Sequence, residues 1–198
     1  VRYYQIVIFF RDEDFREDRQ PEFTQIDCEM SFVERDDVLS TFEALIRKAF
    51  TEVKNIDLGQ IPVLSYDKAM ETYGSDKPDM RFEMTFKDLS SVAQGKGFGV
   101  FDNSEVVLGI VAKGASDLTR KQIDAITNYV KRPQVGAKGL IYCKHNEDGT
   151  FKSSVDKFFN QEALSDWSRV CDTEEGDIIF VLSGDINATR SQMNDLRL

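Results

Sequence analysis

Apolar and polar residues alternate with period two at the start of the chain and recur at helical spacing further on. Arg2 to Phe10 reads as a strand. Tyr4, Ile6, Ile8 and Phe10 share a wholly apolar face, and Tyr3, Gln5, Val7, Phe9 and Arg11 share the other. Phe23 to Val33 reads as a second strand, with Ile26, Cys28, Met30 and Phe32 on one face and Gln25, Asp27, Glu29 and Ser31 on the other. Asp37 to Lys54 carries Val38, Leu39, Phe42, Leu45, Ile46, Ala49, Phe50 and Val53 at helical spacing. That stripe predicts a helix packed on the sheet, capped by Asp36 or Asp37 and ended at Asn55.

Ile61 to Leu64 is a short extended segment. Ser65 caps a short helix, Tyr66 to Tyr73, which Gly74 ends. The turn-rich run Tyr73-Gly74-Ser75-Asp76-Lys77-Pro78-Asp79 follows, and a domain boundary is expected after it, near residue 85. The remainder, 86–198, alternates strand and helix patterns and reads as a separate α/β or α+β unit. Its expected strands are Phe98–Phe101, Val106–Ala112, Gly139–Lys144 and Ile178–Leu182. Its helices start at the Thr119 capping box with Gln122, at Asn160 (burying Ala163, Leu164, Trp167 and Val170) and at Asn187.

At 198 residues, with 41% apolar positions, the chain can bury one large or two small cores. No apolar run approaches the roughly 20 residues that span a bilayer. The net charge of −10 excludes a broadly basic nucleic-acid surface, so any such contact is local. The three cysteines, Cys28, Cys143 and Cys171, lie far apart without CxxC spacing and read as small core residues in a reducing compartment. The single histidine, His145, excludes a multi-histidine metal site and reads as a strand-end residue. No GxGxxG, P-loop, HExxH or GxSxG is present. Val1-Arg2-Tyr3-Tyr4 is neither a signal peptide nor a start-codon product, and a strand opening at the second residue points to a piece of a longer protein.

The stretch that packing alone does not explain is the loop Arg11-Asp12-Glu13-Asp14-Phe15-Arg16-Glu17-Asp18-Arg19-Gln20-Pro21-Glu22. Two turn residues would close a hairpin at less cost, and these charges cannot be buried unpaired. Long loops on rigid strands commonly carry binding and catalysis. The polar face Gln25, Asp27, Glu29 has two open readings, a solvated strand surface or the floor of a polar pocket.

Phe10-Arg11-Asp12-Glu13-Asp14, followed by Asp18-Arg19-Gln20-Pro21-Glu22-Phe23-Thr24-Gln25, resembles motif 2 of class II aminoacyl-tRNA synthetases, in the form found in the bacterial-type aspartyl enzymes. Tyr73 to Asp79 resembles a further signature of that family. Residues 86–198 resemble its insertion domain, called GAD, through Lys113-Gly114-Ala115-Ser116, Thr119-Arg120-Lys121-Gln122, Gly136-Ala137-Lys138-Gly139-Leu140 and Gly176-Asp177-Ile178-Ile179-Phe180. The resemblance implies an α+β fold: 1–85 as part of the class II antiparallel sheet with helices, and 86–198 as the insertion domain. It implies an internal piece of a cytoplasmic ligase of protein biosynthesis, homodimeric through regions outside this chain.

The reaction so implied activates L-aspartate with ATP, accompanied by Mg²⁺, and transfers it to tRNA(Asp). Arg11 stands at the motif's catalytic arginine, where it would meet ATP and aspartate together. Asp12, Glu13, Gln20 and Phe23 would contact ATP, Phe23 as the ring beneath adenine. Asp27 would hold the substrate ammonium, with Gln25 and Glu29 beside it. Asp14, Arg16 and Arg19 would face the tRNA acceptor end. No metal ligand is assigned. The alternatives are a non-catalytic synthetase-like paralogue and a binding module carrying a GAD domain. For Arg11, Arg16 and Arg19 the plainer expectation is ion pairing with the neighbouring acids.

Overall fold

The structure is a computed structural model and describes residues 1–14, 16, 17 and 19–198. Its contacts form two units, Val1–Val63 and Leu64–Leu198. The contacts divide between Val63 and Leu64, so residues 64–85 pack with the second unit. Gly74 shows why. It ends its helix in the left-handed conformation, and a Cβ there would stand 2.1 Å from the carbonyl oxygen of Arg190.

The first unit contains strands β1 (Arg2–Phe10) and β2 (Glu22–Met30) and helix α1 (Arg35–Lys54). β1 and β2 pair antiparallel, with Gln5 opposite Asp27 and Phe9 opposite Phe23. β2 stops at Met30 rather than Val33, since Phe32 takes a positive φ of 59° that no strand accommodates. Phe32 is fully exposed and does not extend the apolar face. α1 starts two residues earlier than its periodicity predicts. Glu34 is its cap, and Asp37 contributes from within the first turn by accepting the Glu34 backbone N–H at 3.0 Å. Asn55 ends it in the left-handed conformation.

The expected burial of the α1 stripe does not occur: α1 has no buried residue, and Leu39, Phe42, Leu45, Ile46, Phe50 and Val53 are exposed. Tyr4, Ile6, Ile8 and Phe10 are exposed too, so the wholly apolar face of β1 is the uncovered one.

The second unit opens with α2 (Tyr66–Tyr73), capped by Ser65 and ended by Gly74 as the sequence predicts. It continues through β3 (Lys87–Asp88), α3 (Ser90–Ala93), α4 (Gly99–Asp102), β4 (Val106–Ala112), α5 (Arg120–Val130), β5 (Ile141–His145), β6 (Phe151–Ser153), α6 (Gln161–Cys171), β7 (Ile178–Gly184) and α7 (Ile186–Arg197). The sheet order is β3-β4-β7-β5-β6 with every pair antiparallel, which makes the unit α+β. β4 and β7 are apolar without alternation because both their faces are covered. One face packs Leu108, Ile110 and Phe180 against Ile123 and Val130 of α5 and Met193 of α7. The other packs Val107, Ile179 and Val181 against Leu89, Phe101, Leu164 and Trp167.

Phe98–Phe101 is not a strand. The segment turns into α4 and buries Phe101 beside Phe159 and Trp167. Asp185, not Asn187, caps α7, accepting the N–H groups of Asn187 and Ala188. On α6 the buried face is Leu164, Trp167, Ser168 and Cys171, while Val170 is exposed. Cys143 and Cys171 are buried, and burial pushes both thiols up to about 12, as inert core residues require. His145 ends β5 and packs its ring, tilted by 30°, against Phe151.

The last turn of α7 fastens the segment after α2. Arg197, 4% exposed, donates from Nε to the Met84 carbonyl at 2.7 Å and from Nη2 to the carbonyls of Phe82 and Asp79. Its guanidinium lies over the rings of Tyr73 and Phe82. In the same segment Arg81's hydrogen bonds hold the Asp79 carboxyl well below the usual carboxylate range.

Candidate functional site

Alternation along β1 puts Tyr3, Gln5, Val7 and Phe9 on one face, and the register sets them opposite Glu29, Asp27, Gln25 and Phe23. This is the half-buried face of the hairpin. At its loop end the Phe9 and Phe23 rings lie 6.0 Å apart and nearly parallel, at 17°. The Arg11 guanidinium sits over the Phe23 ring at 5.0 Å. The Arg11 N–H donates to the Pro21 carbonyl at 2.8 Å and closes the base of the loop.

Glu13 faces two cations. Arg19 donates to its Oε2 at 3.2 Å, and Arg11 lies 3.9 Å from its Oε1. The plainer expectation of an acid partner for Arg11 is thus met at the outer limit of an ion pair. Arg19 finds Glu13, and pairing with Asp18 lies outside the described residues. Arg16 and Arg19 form an isolated bridge, with the Arg19 N–H donating to the Arg16 carbonyl at 3.1 Å. Together Arg11, Glu13, Glu17, Arg19, Gln20 and Phe23 line an open cleft of about 560 Å³.

This cleft joins a flat apolar ring, two guanidiniums, the Glu13 carboxylate they share, a second carboxylate from Glu17 and an amide. Such a set suits a planar base carrying an anionic tail. Asp12, Asp14 and Arg16 are exposed and do not line it. Asp27 and Gln25 lie further along the same face. Four residues of strand separate Asp27 from Phe23, roughly 13 Å at about 3.3 Å per residue. Asp27 accepts from Gln5 Nε2 at 3.1 Å, and the Tyr3 hydroxyl donates to Gln5 Oε1 at 2.9 Å. Nothing in their residue types singles out Phe9, Gln5 and Tyr3. Period two already placed them on the Arg11 face, but only the register reveals their partners. Among the described residues no group of three or more His, Cys, Asp or Glu is placed to hold a metal, and no helix is long and apolar enough to cross a membrane.

Residues 1–190 match the family model described as tRNA synthetases class II (D, K and N). Over its whole length the chain is 55% identical to the aspartate–tRNA ligase of Porphyromonas gingivalis, covering 34% of that protein. It is 53% identical to the aspartate–tRNA ligases of Flavobacterium psychrophilum and Bacteroides fragilis, covering 34% of each. The chain therefore spans about a third of the length of these curated relatives.

Proposed function

Because the chain belongs to the class II tRNA synthetases (D, K and N), we propose that the full-length protein activates L-aspartate with ATP and transfers the aspartyl group to tRNA(Asp). The aspartate carboxylate attacks the α-phosphorus, giving aspartyl-adenylate and pyrophosphate. The terminal hydroxyl of the tRNA then attacks the adenylate carbonyl and releases AMP. In the first step charge builds on the α-phosphate between two anions. A planar, permanently charged guanidinium stabilises that arrangement.

Arg11 takes this role. In the structure its guanidinium covers the Phe23 ring; adenine would take that ring face and leave Arg11 to the phosphate. Phe9 supports Phe23 from within the same face. Glu13 holds Arg19 at the rim, with Gln20 beside it as an ATP contact. Asp27, with Gln25 next to it, receives the substrate ammonium, and the roughly 13 Å between Asp27 and Phe23 is in the range spanned by an extended aminoacyl-nucleotide. Asp14 and Arg16 are exposed on the loop, where a tRNA acceptor end would meet them with Arg19. Asp12 is assigned to the ATP side. Mg²⁺ belongs to the ATP substrate in this reading, and no residue of this chain is given to it. The segment 86–198 is read as the GAD insertion domain, although its contacts extend back to Leu64.

The observation that carries the proposal is the stack of Arg11 on Phe23 on Phe9 at the mouth of a cleft rimmed by Glu13, Arg19 and Gln20. Its test is aspartate-dependent ATP–pyrophosphate exchange in the full-length protein. Arg11→Ala is expected to lower exchange by at least about 10²–10³-fold while leaving the thermal melt unchanged. An active, well-folded Arg11→Ala protein would overturn the assignment. The 198 residues alone are expected to give no measurable exchange.

A further inference from the structure

We infer that Gln5 is a positioning residue for the Asp27 carboxylate and that Tyr3 acts on Asp27 only through Gln5. The inference deepens the proposed function and rests on the reading of Asp27 as the acceptor of the substrate ammonium. Gln5 faces Asp27 directly across the hairpin, and its Nε2 donates to Asp27 Oδ2 at 3.1 Å. Two residues back on the same face, the Tyr3 hydroxyl donates to Gln5 Oε1 at 2.9 Å. Gln5 and Asp27 are half-buried and Tyr3 is exposed.

The chemistry of the three groups gives the chain of contacts a direction. An ionised carboxylate only accepts, so it needs the N–H₂ end of the amide. An amide turned end for end would set its oxygen against the carboxylate. The Tyr3 hydroxyl, by occupying Oε1, holds the amide the right way round. The carboxylate is thereby fixed through Oδ2. Among the described residues Oδ1 has no hydrogen-bond donor, which leaves it to meet an ammonium. A carboxylate held this way needs no rearrangement when the substrate arrives.

The test uses steady-state aspartate activation by the full-length protein. Gln5→Met keeps the length of the side chain and removes the donor. It is expected to raise KM for aspartate about tenfold, the loss of a hydrogen bond to a charged group, with kcat and KM for ATP within about threefold of the parent value. Tyr3→Phe changes one exposed hydroxyl, so folding is not at risk, and should raise KM for aspartate about threefold. The double variant Tyr3→Phe/Gln5→Met should be no worse than Gln5→Met alone. Additive losses would overturn the relay, as would equal losses in every kinetic constant. A normal aspartate KM in Gln5→Met beside a raised one in Asp27→Asn would overturn the positioning role alone. A normal aspartate KM in Asp27→Asn would overturn the reading of Asp27 and this inference with it.

Discussion

The two units distribute apolar residues in opposite ways. Every buried residue among those described lies in Leu64–Leu198, and Val1–Val63 contains none. Yet the first unit is not poor in apolar residues: β1 alone has a wholly apolar face, and α1 carries a helical stripe. The difference lies in closure. The second unit covers both faces of its central strands with helices. The first unit has its candidate site on the half-buried hairpin face and leaves its apolar surfaces open within this chain. A region can thus carry a legible site without a core of its own, and a region with a complete core can carry little recognisable chemistry.

Four substitutions probe that contrast, from the largest effect to the smallest. Trp167→Ala removes a fully buried ring packed 4.9 Å from Phe159 and 5.8 Å from Phe101. It should cost about 3–5 kcal/mol in the denaturant transition of the second unit, and a loss under 1 kcal/mol would refute a closed core there. Gly74→Ala meets both a positive φ and the Arg190 carbonyl. It should cost about 2–3 kcal/mol, and an unchanged melt would return residues 64–85 to the first unit.

Asp177 makes the contrast dependent on pH. Burial alone would raise its carboxyl, but the N–H groups of Glu174 and Gly114 and the Lys113 ammonium hold it below the ordinary value. Because the folded value is depressed, its stabilisation is present above the ordinary carboxylate value of about 4 and is lost as pH falls through the folded value. Lys113 is raised by its hydrogen bond to Asp177, so its share is present below the ordinary lysine value of about 10.4 and is lost only at higher pH. Asp177→Asn should cost about 2 kcal/mol at neutral pH and should flatten the acid limb of a pH–stability curve. An unaltered acid limb would show that another group governs it. Last, Ile8→Ala on the open face of β1 should change the stability of this chain by no more than about 0.5 kcal/mol; a larger loss would mean that the face is covered.

Much of this architecture was legible because its signals are local. β1, the Ser65 cap, the Thr119 capping box and the Asn160 cap all follow from residues within four positions of one another. What failed needed distant information. Phe98–Phe101 is a short apolar run, and such runs do not distinguish a strand from a buried helical turn; the deciding partners, Phe159 and Trp167, lie some sixty residues away. Phe32 fits the alternation of β2, but its backbone has already turned out of the strand. The α1 stripe fixes a helix and not what covers it. In the candidate site, the resemblance to motif 2 singles out Arg11, Glu13, Gln20 and Phe23, whereas the contacts of Phe9 and Gln5 depend on a cross-strand register that one strand alone does not disclose.

The Arg197 clasp carries a consequence for how the molecule is made. Its hydrogen bond to the Met84 carbonyl joins positions 113 residues apart, one beside the opening of the second unit and the other in its last turn. At roughly 5–20 residues per second, the ribosome takes about 6–23 s to travel between them. Throughout that interval the segment from Asp79 to Met84 has been synthesised without its fastener. The central strand β7 and the clasp on α7 both come from the last stretch of that interval, so the segment is fastened only after the middle of the sheet has been made.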